Sequence, residues 1–398
     1  MLLGRSGHHK EMIKNIPITY SFRNLFVRKM TTLFTIMGLA LVVFVFCTVV
    51  MLNRGLEETV VATGERDNLI VIRRGAGTEV QSSITKPQAA IVSQFKGVMS
   101  SPDPMVSFET VILINLKKKK GSTSNVVIRG LQSAGIKLRK NIEITRGRYF
   151  KEGSNEIIVG RAIAKRFTGL EIGQNINFGG EAWRIVGFFK TDNNGFESEM
   201  WVSNDVLMQA FQRQTYSTVL FQLQDLSYAE KIVNKLDEDI RLPLNGKLER
   251  QFYEESSRAL SNFISILGTT LTIIFSIGAT IGAMITMQAA VMNRKNEIAT
   301  LRALGFLKYQ ILLAFLFEAF VLSFLAGVLG LFMASLFSGV EFSTSNFQSF
   351  SELAFRFSFD VYVVLIGMTL SVFMGIVGGL IPSIYATKIK ITDALRPL

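Results

Sequence analysis

A chain of 398 residues that is 48% hydrophobic, with a positive mean hydropathy, is too apolar on average for an ordinary soluble enzyme. Its apolar residues gather into long runs, which points to a membrane. The net charge of +12 is explained in part by basic residues at the ends of those runs and in part by lysines scattered between them, so nucleic acid is not expected as a partner.

The chain opens with a basic amphipathic segment, 1–30, in which Ile16, Ile18, Leu25 and Phe26 mix with Arg23, Arg28 and Lys29; it is predicted to lie along the inner membrane surface. An uncharged run at 31–52 follows, long enough to cross about 30 Å of hydrocarbon. It exceeds the ~7 to 15 residues of a signal-peptide core, and no A-x-A-like site follows it closely, so an uncleaved anchor is expected. Read on through "NRGLEETVVATGERDN", the helix would be roughly 50 Å long and would leave the bilayer as a stalk. "LERQFYEESSRALSNF", ahead of the second apolar run, has the same character. Ordinary connecting coil is the competing reading.

Between the stalk ends, 53–258 form the expected outer domain. "NLIVIRR" has the pattern of a strand, "KPQAAIVSQFKGV" that of a helix with Pro87 in its first turn, and "VSFETVILINL" that of one or two strands. The order returns later as "STVLFQLQD", then the helix "SYAEKIVNKLDEDI" with Ser227 as N-cap, then "GKLERQFY". Inserted at about 112–215 is a region of glycines and short strands. It includes two hairpins, "LKKKKGSTSNVVIRGL" and "IGQNINFGGEAWRIVGFFK", and one helix, "GRAIAKRF". Lys117 to Lys120 fit either a patch for an acidic partner or lipid headgroups, or a solvated hairpin tip. Glu197, Glu199, Phe196 and Trp201 in "NNGFESEMW" fit either a partner contact or a structural loop.

Three more apolar runs follow, at 259–292, 311–340 and 361–387, giving four transmembrane helices in all. The expected fold class is therefore a membrane protein with four transmembrane α-helices, a helical stalk and an α+β extracytoplasmic domain. That domain is expected as a split β-α-β subdomain with a small β-rich one inserted. Lys and Arg collect in 1–30, in the 293–310 loop and in the 388–398 tail, whereas the 341–360 loop holds Glu341, Glu352 and Asp360 against a single Arg356. Basic residues resist translocation, which places both termini and the 293–310 loop in the cytoplasm and the large domain outside.

Much chemistry is missing. There is no G-x-x-x-x-G-K-[ST] phosphate loop; the only histidines are the adjacent His8 and His9, so neither a zinc site nor a Ser-His-Asp triad can be assembled. The single Cys47 falls inside the first membrane helix, so the outer domain carries no disulfide. Glu318 is an intramembrane charge, a functional candidate unless it pairs with basic residues of the nearby loop or sits near the headgroups. Gly278 with Gly282, Gly327 with Gly330, and Gly375 with Gly379 permit close helix packing, within one subunit or across a dimer.

The loop "MNRKNEIATLRALGF" at 292–306 is a short amphipathic helix in the cytoplasm. Ile298, Leu301 and Leu304 are expected on one side, Arg294, Lys295 and Arg302 elsewhere, and Gly305 at its end. Together with Glu297, these form a candidate handle for a cytoplasmic machine.

Here the sequence resembles the MacB and FtsX family of ATP-binding-cassette permeases. The family's R-x-x-E-I-x-x-L-R-A-L-G signature, followed by a helix containing a glutamate, is matched by Arg294, Glu297, Ile298, Leu301, Arg302, Ala303, Leu304, Gly305 and Glu318. The ending P-x-x-x-A and A-L-R is matched by Pro382, Ala386, Ala394, Leu395 and Arg396, and "EIIVGRAIAKRFTGLEIGQNI" with "WRIVGFF" is similar to the family's outer domain. The resemblance implies a homodimer in an inner (plasma) membrane, driven by a dimeric cytoplasmic ATPase on a separate chain that binds ATP and Mg. The permease itself would hold no cofactor. It would pass nucleotide-driven movement through the stalk to the periplasmic domain, and thereby drive efflux through an adaptor and an outer-membrane channel. Two further purposes remain open: release of lipoproteins or lipids, as in the LolC and LolE permeases, and an FtsX-like scaffold that regulates cell-wall hydrolases.

Overall fold

The computed structural model describes residues 29–99, 104–191, 194–345 and 352–389. The expected amphipathic segment ahead of Lys29, His8 and His9, and the Ala394, Leu395 and Arg396 ending lie outside them. The chain divides into two compact units: 1–51 with 266–338 and 359–398, and 52–265 with 339–358.

Ten helices and fourteen strands are used below, in chain order among the described residues. The helices are α1 (Lys29–Val61), α2 (Lys86–Ser93), α3 (Ser133–Lys137), α4 (Arg161–Arg166), α5 (Asn204–Ala210), α6 (Ser227–Glu238), α7 (Glu249–Asn293), α8 (Lys295–Ala303), α9 (Lys308–Ser335) and α10 (Val361–Lys388). The strands are β1 (Asn68–Arg73), β2 (Ile84–Thr85), β3 (Val106–Lys117), β4 (Thr123–Leu131), β5 (Glu143–Gly147), β6 (Glu156–Gly160), β7 (Asn175–Phe178), β8 (Glu181–Lys190), β9 (Glu199–Ser203), β10 (Thr215–Tyr216), β11 (Thr218–Gln222), β12 (Leu244–Leu248), β13 (Glu341–Ser345) and β14 (Glu352–Arg356).

Helices α1, α7, α9 and α10 are each long and apolar enough to cross a membrane. Both α1 and α7 extend past their apolar stretches, to Val61 and back to Glu249, so the stalk is helical and the coil reading fails. Conversely, α9 stops at Ser335 although apolar residues run on to Val340; a turn with Gly339 at φ +82° ends it.

In the first unit, small residues set how closely helices approach. A Cβ on Gly375 would lie 2.2 Å from that of Ser323, and one on Gly379 would lie 2.5 Å from that of Ala319, so α9 and α10 meet backbone to backbone. Ser371 donates to the Ser323 carbonyl at 2.6 Å across the same seam. Gly327 packs against Met368 and Ser371, Gly330 against Ala40 and Val43 of α1, and Gly367 against the Cys47 sulfur. A Cβ on Gly278 or Gly282 would meet nothing within 4 Å, so among the described residues neither glycine serves a close helix approach.

The second unit is built on one sheet, in the order β12-β1-β11-β3-β4-β9-β6-β8-β5 with β7 added on β8. All neighbours are antiparallel except β4 with β9 and β6 with β8. The split and inserted parts are thus not separate sheets. They share β3, whose first residues pair with β11 and whose remainder, from Thr110, pairs with β4. Each part keeps its own core. Leu69, Val71, Val92, Val219 and Phe221 gather with α2 and α6, whereas Ile157, Val159, Trp183, Met200 and Leu207 gather with α4 and α5.

Local chemistry explains the edges. Thr85 and Gln88 form a capping box at α2, with Pro87 in its first turn. Gly179 and Gly180, both at positive φ, turn β7 into β8 as the Gly-Gly pair predicts. Ser227 is not the N-cap of α6; it is the first helical residue, and Asp225 accepts from its backbone nitrogen at 2.7 Å. The 341–360 segment is more than a loop, because β13 and β14 form a hairpin within the outer unit. Leu353 and Phe355 bury against Leu56, Val60 and Leu260 of the stalk helices, and the Ala354 nitrogen donates to Ser198 at 3.0 Å.

Candidate coupling site

The signature loop folds as predicted into a short helix, α8, closed by glycine. Gly305 takes φ +95°, its nitrogen donates to the Arg302 carbonyl at 3.1 Å, and Phe306 donates to the Leu301 carbonyl at 3.2 Å. These two bonds form a Schellman motif, which a residue with a Cβ accommodates poorly at the glycine position.

Arg294 sits at the N-cap of α8 and turns inward. Its guanidinium donates to both Glu318 oxygens, at 2.9 and 3.5 Å, with the two side chains only 11% and 7% exposed. The intramembrane glutamate is therefore paired with the loop. At the other end of α8, Arg302 donates to the carbonyls of Thr387 and Ile389 at 3.3 and 2.5 Å. These oxygens lie at the C-terminus of α10, where a cation also meets the negative end of the helix dipole. Between the arginines, Ile298 and Ala299 are buried with Met287, Val291, Ile311, Phe315 and Ala386. The helix is thus pinned to α9 by one end, to α10 by the other, and to the bundle core by its middle.

This corrects the expected face. Leu304 is 64% exposed and does not join Ile298 and Leu301. It lies past the last helical residue and is six positions from Ile298, about 240° around at ~100° per residue. Leu301 and Lys295 are half-buried and Glu297 is exposed. The outward apolar surface is instead Leu304, Leu307 and Tyr309, each more than half exposed.

Sequence reasoning missed a second polar cluster, buried in the outer unit. All five N–H groups of Arg129 donate to carboxylates: Glu79 at 2.6 and 2.9 Å, Glu199 at 2.8 and 2.7 Å, and Glu109 at 3.0 Å. Arg139 donates to both oxygens of Glu109 at 2.7 Å and lies over the Phe196 ring. Burial works against the Glu109 charge, but Arg139 and Arg129 hold its carboxyl below the usual range. Trp201 donates to Glu199 at 2.8 Å and Tyr253 of α7 to Glu79 at 3.4 Å. The charged loop around Phe196 and Trp201 is therefore internal structure. Glu199, Phe196 and Trp201 stand out in the sequence as one loop, and the signal for their partners was charge inside otherwise apolar strands, Glu109 in β3 and Arg129 in β4. Lys117 to Lys120 lie at the solvated β3–β4 turn, where Lys119 donates to the Ala164 carbonyl at 3.3 Å.

Among the described residues no group of three or more His, Cys, Asp or Glu side chains could hold a metal ion. What the first unit offers is a helix at the loop between membrane helices, anchored at both ends, with an exposed apolar tip.

Four membrane-length helices, with such a helix between the second and third and an α/β outer unit between the first and second, define a permease-type chain. The comparisons agree. Residues 32–239 match the MacB-like periplasmic core domain and residues 269–391 the FtsX-like permease C-terminal domain. The chain belongs to the MacB/FtsX family of permeases. The macrolide export ATP-binding/permease protein MacB of Pasteurella multocida is 23% identical over 414 residues, a match covering 93% of this chain and 58% of that protein. An uncharacterized ABC transporter permease of Methanocaldococcus jannaschii is 21% identical over 404 residues, covering 97% and 99%. The solved periplasmic region of MacB from Actinobacillus actinomycetemcomitans aligns with a TM-score of 0.38 at 11% identity, over 50% of this chain and 96% of that one. The chain spans 58% of the length of the Pasteurella relative.

Proposed function

We propose that this chain is the membrane subunit of an ATP-binding-cassette transporter and works by mechanotransmission. A dimeric ATPase on a separate polypeptide, which holds the ATP and Mg, docks on α8, and its closure moves α9 and α10 and, through the stalk helices, the outer domain. Two copies of the permease act together in the inner membrane, and the movement drives export of a periplasmic substrate through an adaptor and an outer-membrane channel.

The observation that carries this reading is the double anchorage of α8 by Arg294 on Glu318 and by Arg302 on the last carbonyls of α10. A helix that only floated on lipid would have no need of a buried ion pair. In this reading Arg294 and Arg302 position the helix, while Leu304, Leu307 and Tyr309 with Glu297 meet the ATPase. Leu304→Asp with Leu307→Asp should abolish co-purification of the ATPase from native membranes in mild detergent, while the permease keeps its yield and elution volume. An ATPase that still follows this variant in full would sink the docking assignment. Mass spectrometry of what accompanies the wild-type chain separates export from the other two purposes: an adaptor supports the first, a lipoprotein carrier or a hydrolase replaces it.

A further inference from the structure

The outer unit carries a cavity of about 770 Å3, open to solvent and lined mostly by charged side chains, that the coupling reading leaves unused. Its walls come from the outward end of α1, the turn after it, and the first turn of α7. These segments are in contact. A Cβ on Gly64 would lie 2.5 Å from the backbone nitrogen of Arg250, and only glycine lets the chain leaving α1 approach α7 so closely.

That approach brings charges of both signs to one space. Some are satisfied within the wall: Lys140 bonds Asp67 at 3.2 Å and lies 3.9 Å from Glu65, and Arg54 faces Glu58 at 3.7 Å. Arg66, Arg250 and Glu57 line the same cavity and have no ion-pair partner among the described residues. Two open guanidiniums and one open carboxylate remain. Guanidiniums present paired donors that match the oxygens of a phosphate, and a carboxylate matches an ammonium. A ligand of one sign would leave part of this lining opposed; a ligand carrying both signs would answer all of it.

The place in the chain narrows the ligand further. The lining starts at Arg54, directly after the apolar run that ends at Leu52; from there to the end of α1 at Val61 the helix rises roughly 10 Å, and the rest of the lining follows in the turn beyond. The near end of such a span falls in the headgroup layer, which is ~5 to 8 Å deep beyond the hydrocarbon.

We propose that this cavity binds a zwitterionic phosphoester headgroup, with the phosphate between Arg66 and Arg250 and the amine at Glu57. The chemistry is that of phosphoethanolamine, carried on an amphiphile from the adjoining leaflet or free in solution. The site is independent of what drives the chain, and its loss would leave the ATPase contact intact.

The test uses the full chain in maltoside detergent, with equilibrium dialysis against dihexanoyl-phosphatidylethanolamine, dihexanoyl-phosphatidylglycerol, glycerophosphoethanolamine and inorganic phosphate. One phosphatidylethanolamine per chain is expected, bound at least about tenfold more tightly than phosphatidylglycerol. Arg66→Glu with Arg250→Glu should weaken it about tenfold or more, and Glu57→Lys should erase the preference between the two lipids. Arg66→Gln with Arg250→Gln repeats the loss without charge reversal and guards against misfolding, which elution volume and circular dichroism report. Equal affinity for glycerophosphoethanolamine identifies a soluble headgroup as the ligand, and weaker affinity identifies the lipid. Equal binding of both lipids, binding unchanged in the arginine variants, or inorganic phosphate bound as tightly as the esters would each overturn the proposal.

Discussion

Glu249 is the first residue of α7 and lies in the outer unit, ahead of the apolar stretch that begins at Ala259; its side chain is fully buried. One carboxylate oxygen accepts from the Glu65 nitrogen at 3.0 Å and from Asn68 at 2.9 Å, whereas the other has no partner. Burial pushes its carboxyl up to about 7 against the pull of Arg139 and these two bonds, and Glu109 adds to the rise. A carboxyl raised in the folded state binds a proton there that the unfolded chain has already lost. Stability from this group is thus full below the unfolded value, 4.5, and declines as pH rises towards about 7. The decline amounts to about 1 to 3 kcal/mol. Chemical denaturation of the outer unit should show it between pH 5 and 8, and Glu249→Gln should flatten the profile. A wild-type profile that rises over this window would contradict the assignment. Arg129 gives the larger effect: Arg129→Met removes five donors from three buried carboxylates and should cost about 3 to 5 kcal/mol at neutral pH by the same measurement. Neither group was singled out in the sequence, because a charge in a strand or at the start of a helix does not announce which partners the fold will bring opposite it.

The elements were legible wherever one periodicity or one turn residue decided them. Long apolar runs marked the four membrane helices, Gly305 the end of α8, and Gly179 with Gly180 the β7–β8 turn. The 341–360 segment was not legible. The β13–β14 hairpin holds its shape by contacts far away in sequence, such as Phe355 against Leu56 and Ala354 against Ser198, and no local pattern encodes them. The side of α8 that carries Leu304 was missed for a related reason, since the helix ends one residue earlier than the pattern suggests. The glycine pairs show how much more the structure adds. All look alike as spacings, yet Gly375 and Gly379 are pressed against α9 while Gly278 and Gly282 are open. Gly375→Val should therefore destabilise the chain in detergent by about 1 to 3 kcal/mol or more, as overpacking does. Gly278→Leu should leave the stability of a single chain within about 0.5 kcal/mol. A large loss for Gly278→Leu would mean that a second copy covers that face.

For the whole molecule the decisive question is which way the chain faces. The described ends of the membrane helices carry opposite charge: Arg294, Lys295 and Arg302 lie between α7 and α9 and Lys308 opens α9, whereas Glu341 and Asp360 lie between α9 and α10. On the proposed reading, retention of basic residues in the cytoplasm predicts α8 inside and the ten-stranded domain outside. The lone Cys47 makes this readily measurable, because it is buried against Gly367 and offers no thiol to an aqueous reagent. In a Cys47→Ser background, Lys119→Cys at the exposed β3–β4 turn should react with a membrane-impermeant maleimide in intact cells. Thr300→Cys, on the exposed side of α8, should react only after the membrane is opened. Both positions are solvent-facing and away from the arginine anchors, so neither substitution disturbs the pinning of α8. The converse labelling pattern would place α8 away from any cytoplasmic ATPase, and the Arg294–Glu318 anchorage would then have to serve a chain without a motor.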